Sequence, residues 1–192
     1  MKLNLPNKLS IIRICLIPVF TAVFYIPQIP YRFLISAIIF VVAACTDFLD
    51  GYIARKYNMV TNLGKFLDPI ADKVLVSTAL IVMLTVPTIA PWYTGIAVAI
   101  ILARELIVSG FRMVAASRGM VLAADKLGKA KTIFQDVAIA LLLVSGENFL
   151  VVSGYEIFNL VGLVLLAIAT VLTIVSGANY LIKNRAVLKD ND

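Results

Sequence analysis

Six apolar runs alternate with short polar stretches along the chain, and together they predict six membrane-crossing α-helices. The first covers residues 9–26 and stops where Pro27 and Pro30 mark a turn. The second covers 32–54 and carries two carboxylates near its far end. The third begins near Asp68, with Pro69 in its first turn, and ends before Pro87. Runs over 92–116, 132–144 and 157–182 complete the set. Residues 1–10 mix Leu3, Leu5 and Leu9 with Lys2, Lys8 and Pro6, as in a short interfacial segment before the first span. No signal-peptide cleavage site follows it. Asn7 and Ser10 are expected to cap a helix rather than touch a ligand, and Arg13 to snorkel.

The polar stretches differ in sign from one end of the spans to the other. Lys2, Lys8, Arg55, Lys56, Lys65, Lys73, Arg118, Lys126, Lys129, Lys131, Lys183, Arg185 and Lys189 fall at the N-terminus or beside the exits of even-numbered spans. The opposite connections carry only Arg32, at a span boundary. The positive-inside rule therefore puts both termini and the polar stretch around residues 47–72 in the cytoplasm. Tyr31, Trp92 and Tyr93 fall where an interfacial aromatic belt is expected.

Composition agrees with a membrane protein. The 192 residues are 61% hydrophobic and 15% charged, against about 45–50% apolar in soluble domains. The expectation is an all-α integral membrane protein in the cell membrane, one domain over residues 1–192. The net charge of +6 fits a basic cytoplasmic face and anionic lipids or substrates better than nucleic acid. The chain has no histidine, which excludes Ser-His hydrolase chemistry and histidine metal ligands. Cys15 and Cys45 lie in apolar runs and read as packing thiols.

Four of the eleven acids crowd one polar stretch: Asp47, Asp50, Asp68 and Asp72. Asp47 and Asp50 stand about 60° apart round a helix, and Asp68 and Asp72 about 40°, so each pair shares a face. Unpaired, such carboxylates repel one another; divalent Mg²⁺ or Mn²⁺, which prefer hard oxygen ligands, would offset that repulsion. Gly51, Ala54 and Gly64 are small enough for a ligand to approach the backbone, and Arg55 offers a planar fork to phosphate oxygens.

Together these residues form D-x-x-D-G-x-x-A-R…G-x-x-x-D-x-x-x-D, whose eight fixed positions have a chance on the order of 10⁻¹⁰ per starting position at average composition. The pattern resembles the signature of the CDP-alcohol phosphotransferases, with no departure from it. The resemblance implies that Asp47, Asp50 and Asp68 ligate metal, with Asp72 near a second ion. It implies that Asp72 is the general base toward an acceptor alcohol. Asp50, Gly51, Ala54, Arg55 and Gly64 would line the CDP-lipid, whose β-phosphorus the alcohol attacks as CMP leaves. Membrane lipid is thus both surroundings and substrate.

A second basic group bears on the alcohol: Arg104, Arg112, Arg118, Lys129 and Lys131. Arg104 with Glu105 reads equally as an internal ion pair or as a substrate contact. Clustered Arg and Lys favour an anionic acceptor. The stretches Asn4–Arg13 and Ala103–Glu105, Ser109–Arg112 and Ala124–Gln135 are similar to the bacterial phosphatidylglycerophosphate synthase branch of the family. That similarity implies CDP-diacylglycerol as donor and sn-glycerol 3-phosphate as acceptor, its phosphate held by Arg112, Arg118, Lys129 and Lys131. Asp125 and Asp136 read as local salt bridges, and Glu147 and Glu156 as solvated loop acids. Gly162, Gly177 and the many alanines suit helix packing and a homodimer.

Three other readings stay open at this stage. One is a related transferase using inositol phosphate, serine or phosphatidylglycerol as acceptor. Another is a cation transporter with the four aspartates as its ion site, though its site would be expected at the bilayer midplane. The third is an inactive scaffold.

Overall fold

The computed structural model describes residues 4–56, 61–120, 122, 126–146 and 155–188. Six long helices follow one another: α1 (Leu5–Tyr25), α2 (Arg32–Lys56), α3 (Asn62–Met83), α4 (Thr94–Ser117), α5 (Lys126–Ser145) and α6 (Tyr155–Lys183), then a 3₁₀ turn at Arg185–Leu188. The shortest, α5, has 20 residues, about 30 Å of rise, which matches a hydrocarbon core. By length and composition, three described stretches suffice to cross a membrane: Asn7–Tyr25, Thr94–Ser117 and Glu156–Lys183. Arg32–Thr46 is a shorter apolar stretch, and α2, α3 and α5 carry the motif and basic residues in their remaining turns.

Large apolar side chains point outward as well as inward. Leu106, Ile133 and Ile182 are exposed, although each sits in a long helix. A surface of this kind belongs in lipid. The inner core runs through Phe20, Phe24, Phe40, Leu75, Leu80, Ile139 and Leu142. Phe24 and Phe33 meet edge to face at 5.0 Å and join α1 to α2.

α1 packs along both α2 and α3, while α5 packs along α2 and α6, and α6 along α4. Lighter contacts of α3 with α4 and α5 close the bundle. One end is tied by Asn159 of α6, whose Nδ2 donates to the carbonyls of Thr88 and Ile89 and to Ser145 Oγ. The opposite end therefore holds the start of α1, the α2–α3 connection, the end of α4 and the start of α5. α4 stops in a Schellman turn: Gly119 takes φ +71°, and Met120 N–H donates to the Ala115 carbonyl.

Three helices begin a turn or more earlier than hydropathy predicts, and all three do so at that end. α1 starts at Leu5, so most of the segment read as interfacial is its first turns, with Pro6 fitting the free N–H positions. α3 starts at Asn62 rather than near Asp68, because Thr61 caps it by accepting from Gly64 N–H at 3.0 Å. Pro69 consequently sits inside α3, not in its first turn. α5 starts at Lys126, so Lys129 and Lys131 are helical rather than part of a basic loop. Lys2, Asn58, Asp125, Glu147 and Lys189 lie outside the described residues.

Candidate active site

The face of α1 that carries Asn7, Ser10 and Arg13 advances three residues at a time, about 60° per step. Neither Asn7 nor Ser10 caps a helix, contrary to the sequence expectation; the N-cap of α1 is Asn4, and both residues are buried within α1. Ser10 Oγ donates to Asp68 Oδ1 at 2.6 Å. Thr61 Oγ1 donates to Asn7 Oδ1 at 2.8 Å. Arg13 does not snorkel: it is fully buried, and its Nε donates to the Ala43 carbonyl of α2 at 3.1 Å. Ala43 lies one turn before Asp47. A single helix face thus grips the acidic end of α2 and the acidic start of α3.

Gly64 is what lets α1 come this close. A Cβ there would stand 2.9 Å from Asn7 Oδ1 and 3.3 Å from Thr61 Oγ1. The same Cβ would be 3.8 Å from Asp68 Oδ2, so the small residue also borders the carboxylate.

Asp68 and Asp72 occupy successive turns of α3, both part-buried. Asp47, Asp50, Gly51, Ala54 and Arg55 fall on the last turns of α2, and their side chains lie outside the described residues. Among the described residues no three His, Cys, Asp or Glu side chains form a metal cluster, and the two α2 carboxylates are not among them. What is described fits a hard divalent cation. Asp68 has one oxygen engaged by a neutral hydroxyl, and no cation among the described residues reaches its carboxylate.

Behind Asp72 lies a polar cavity of about 30 Å³, room for a water molecule, between α3, α4 and α5. Asp72, Lys73, Ser77, Glu105, Lys131 and Gln135 line it. Glu105 Oε1 accepts from Lys131 Nζ at 2.7 Å and from Arg104 Nη1 at 2.9 Å. Ser109 Oγ donates to the Glu105 carbonyl and accepts from Lys73 Nζ. Arg104 Nη2 donates to Ser176 Oγ of α6 at 3.3 Å. Gln135 Oε1 is buried with no hydrogen-bond partner among the described residues, which a bound water would supply.

Comparison with known proteins decides which family this geometry serves. Residues 3–175 match the CDP-alcohol phosphatidyltransferase family. The chain belongs to that family. A Bacillus subtilis (strain 168) relative named CDP-diacylglycerol–glycerol-3-phosphate 3-phosphatidyltransferase is 42% identical over 98% of this chain and 99% of its own. Relatives with the same name from Rickettsia bellii and Salmonella typhimurium are 43% identical over 92% of this chain and 38% over 99%, covering 93% and 100% of their own lengths.

As a CDP-alcohol phosphatidyltransferase, the chain has its basic residues spread over two places. Lys131 is buried against Glu105. Arg112 is exposed, with Nε donating to Tyr180 OH at 3.1 Å and its guanidinium 5.3 Å from that ring. Arg118 is exposed at the C-cap of α4, and Lys129 is exposed near the start of α5. No contact among the described residues joins Arg112 or Lys129 to Lys131. Arg104 and Glu105 form the internal ion pair. Gly177 packs on Arg104 and Gly162 on Leu142, within this chain. Those two positions therefore give a homodimer no support. Sequence reasoning missed Lys73, Ser109 and Gln135; the one available signal was that Lys73 adjoins Asp72 and Ser109 follows Glu105 by one turn.

Proposed function

We propose that this chain transfers the phosphatidyl group of CDP-diacylglycerol to sn-glycerol 3-phosphate, giving phosphatidylglycerophosphate and CMP. The observation that carries this reading is full-length similarity to relatives that share one printed name for that reaction. The membrane is the cell membrane, with the aspartate end of the bundle cytoplasmic, on the asymmetry of Lys and Arg.

The chemistry follows from residue types. The primary hydroxyl of glycerol 3-phosphate attacks the phosphorus that carries diacylglycerol. Its proton passes to Asp72, the bond to the CMP oxygen breaks, and CMP leaves with the electron pair. Mg²⁺ or Mn²⁺ held by Asp47, Asp50, Asp68 and Asp72 would neutralise charge on the pyrophosphate oxygens. Gly51, Ala54, Arg55 and Gly64 accept the cytidine diphosphate, and Arg112, Arg118 and Lys129 attract the acceptor phosphate. Lys131 adds positive charge from behind, through its place beside Asp72 and Glu105. An apolar groove of about 300 Å³ between α2 and α5, lined by Phe40, Ala44, Cys45 and Val137, ends two residues from Asp47 and suits an acyl chain.

The test is label transfer from radioactive glycerol 3-phosphate to lipid by purified protein in micelles containing CDP-diacylglycerol. Labelled lipid and equimolar CMP are expected, both lost on chelation and restored by Mg²⁺ or Mn²⁺. CMP release with serine or inositol phosphate but not glycerol 3-phosphate would reassign the acceptor. No CMP release with any alcohol would return the chain to the transporter or scaffold reading.

A further inference from the structure

The bond from Ser10 to Asp68 has a chemistry that packing alone does not require. Ser10 is fully buried, and a buried hydroxyl on a membrane helix ordinarily satisfies itself on the carbonyl one turn back, as Thr21, Thr170 and Thr173 do here. Ser10 also reaches across to another helix, where it donates to one oxygen of a motif carboxylate at 2.6 Å. That choice leaves Oδ2 of Asp68 on the side bordered by Gly64. The neighbouring contacts hold the geometry. Asn7, one turn before Ser10, accepts from Thr61, and Thr61 in turn accepts from Gly64 N–H.

We infer that Ser10 is a positioning residue for the metal site. Its hydroxyl fixes the rotamer of the Asp68 carboxylate, so that Oδ1 is engaged and Oδ2 is presented to the divalent cation. This rests on the metal assignment of the proposed function. Its physical basis is that hydrogen bonds behind a metal ligand orient that ligand before the ion arrives. Ser10 acts on the reaction through Asp68, the carboxylate to which its hydroxyl donates.

The experiment compares Ser10→Thr with Ser10→Val, two side chains of nearly equal shape of which only threonine keeps the hydroxyl. Mn²⁺ binding to the purified protein, without nucleotide or lipid substrate, is followed by electron paramagnetic resonance. Ser10→Thr is expected to bind Mn²⁺ more tightly than Ser10→Val by on the order of 10- to 100-fold. The apparent metal constant of catalysis should shift by the same factor, with the KM for glycerol 3-phosphate unchanged at saturating metal. Because the added methyl is common to both variants, a general packing defect lowers both alike, and equal Mn²⁺ affinities would overturn the inference. Asp68→Asn in the same titration separates the two readings. Native-like Mn²⁺ binding there would remove the metal assignment itself, whereas weak binding there with equal affinities for threonine and valine would remove only the role of Ser10.

Discussion

Where α1 meets α3, the acid Asp68 is met by a hydroxyl; where α3, α4 and α5 meet, the acid Glu105 is met by Lys131 and Arg104, with Lys73 one hydroxyl away. Among the described residues, the first arrangement supplies geometry without neutralising charge. The second supplies more positive charge than one carboxylate can offset. A carboxylate held by neutral donors attracts a cation, and a cluster with surplus cations attracts an anion. Asp72 lies between the two, on the face of α3 that lines the cavity. The polarity of the site thus runs from a cation-seeking end on α1 and α3 to an anion-seeking end on α4 and α5.

The largest way to break the comparison is to remove the group between the two ends. Asp72→Asn keeps shape but takes no proton, so kcat for CMP release should fall about 10²- to 10⁴-fold. Folding should persist, measured by thermal melting in detergent. A loss below about tenfold would mean that another group takes the proton.

Next comes the charged end. Glu105→Gln removes the carboxylate that accepts from the ammonium of buried Lys131, and breaking such a pair costs about 3–5 kcal/mol. The melting temperature should drop sharply. Adding Lys131→Met should recover most of the loss, because the orphaned charge goes with it. If Glu105→Gln melts like the native protein, the cluster is solvated and the contrast with Asp68 is weaker than the geometry implies.

How the two ends read from sequence differs for the same reason. The acidic pattern was legible because Asp residues at helical spacing in an apolar chain have few uses, and the six-helix order was legible because apolar runs are long. The clasp was not legible. Asn7 and Ser10 are common capping residues, and nothing in a single chain says that Gly64 will bring α1 within reach of Asp68. Hydropathy also placed the starts of α3 and α5 too late, because their first turns are polar and sit at the site. Arg13 showed the limit most clearly: a basic residue one turn inside a span reads as snorkelling, yet here it binds a carbonyl of the neighbouring helix.

A smaller effect tests how tightly the hydroxyl end depends on close approach. In Gly64→Ala the new methyl would meet Asn7 Oδ1 at 2.9 Å, so the Asn7 side chain, or α1 with it, must shift away from α3. Overpacking of this kind costs about 1–3 kcal/mol. Activity should fall with it, because Ser10 moves with Asn7. Gly64→Ala combined with Asn7→Ala removes the clashing oxygen and should regain part of the loss. A double-mutant cycle with no coupling between 64 and 7 would separate Gly64 from the clasp.

The smallest effect belongs to the far side of the anion-seeking end. Tyr180→Phe deletes the hydroxyl that accepts from Arg112 Nε at 3.1 Å but keeps the ring beneath the guanidinium. One hydrogen bond to a part-exposed charged group is worth about 1 kcal/mol. If Arg112 is held by Tyr180 for the acceptor phosphate, the KM for glycerol 3-phosphate should rise about fivefold, with kcat and the metal dependence unchanged. Arg112→Ala should raise it further, and the two substitutions together no more than Arg112→Ala alone. An increase in KM that instead adds fully on top of Arg112→Ala would show that Tyr180 acts on the acceptor by its own route, and the anion-seeking end would then owe less to arginine geometry than to its surplus of charge.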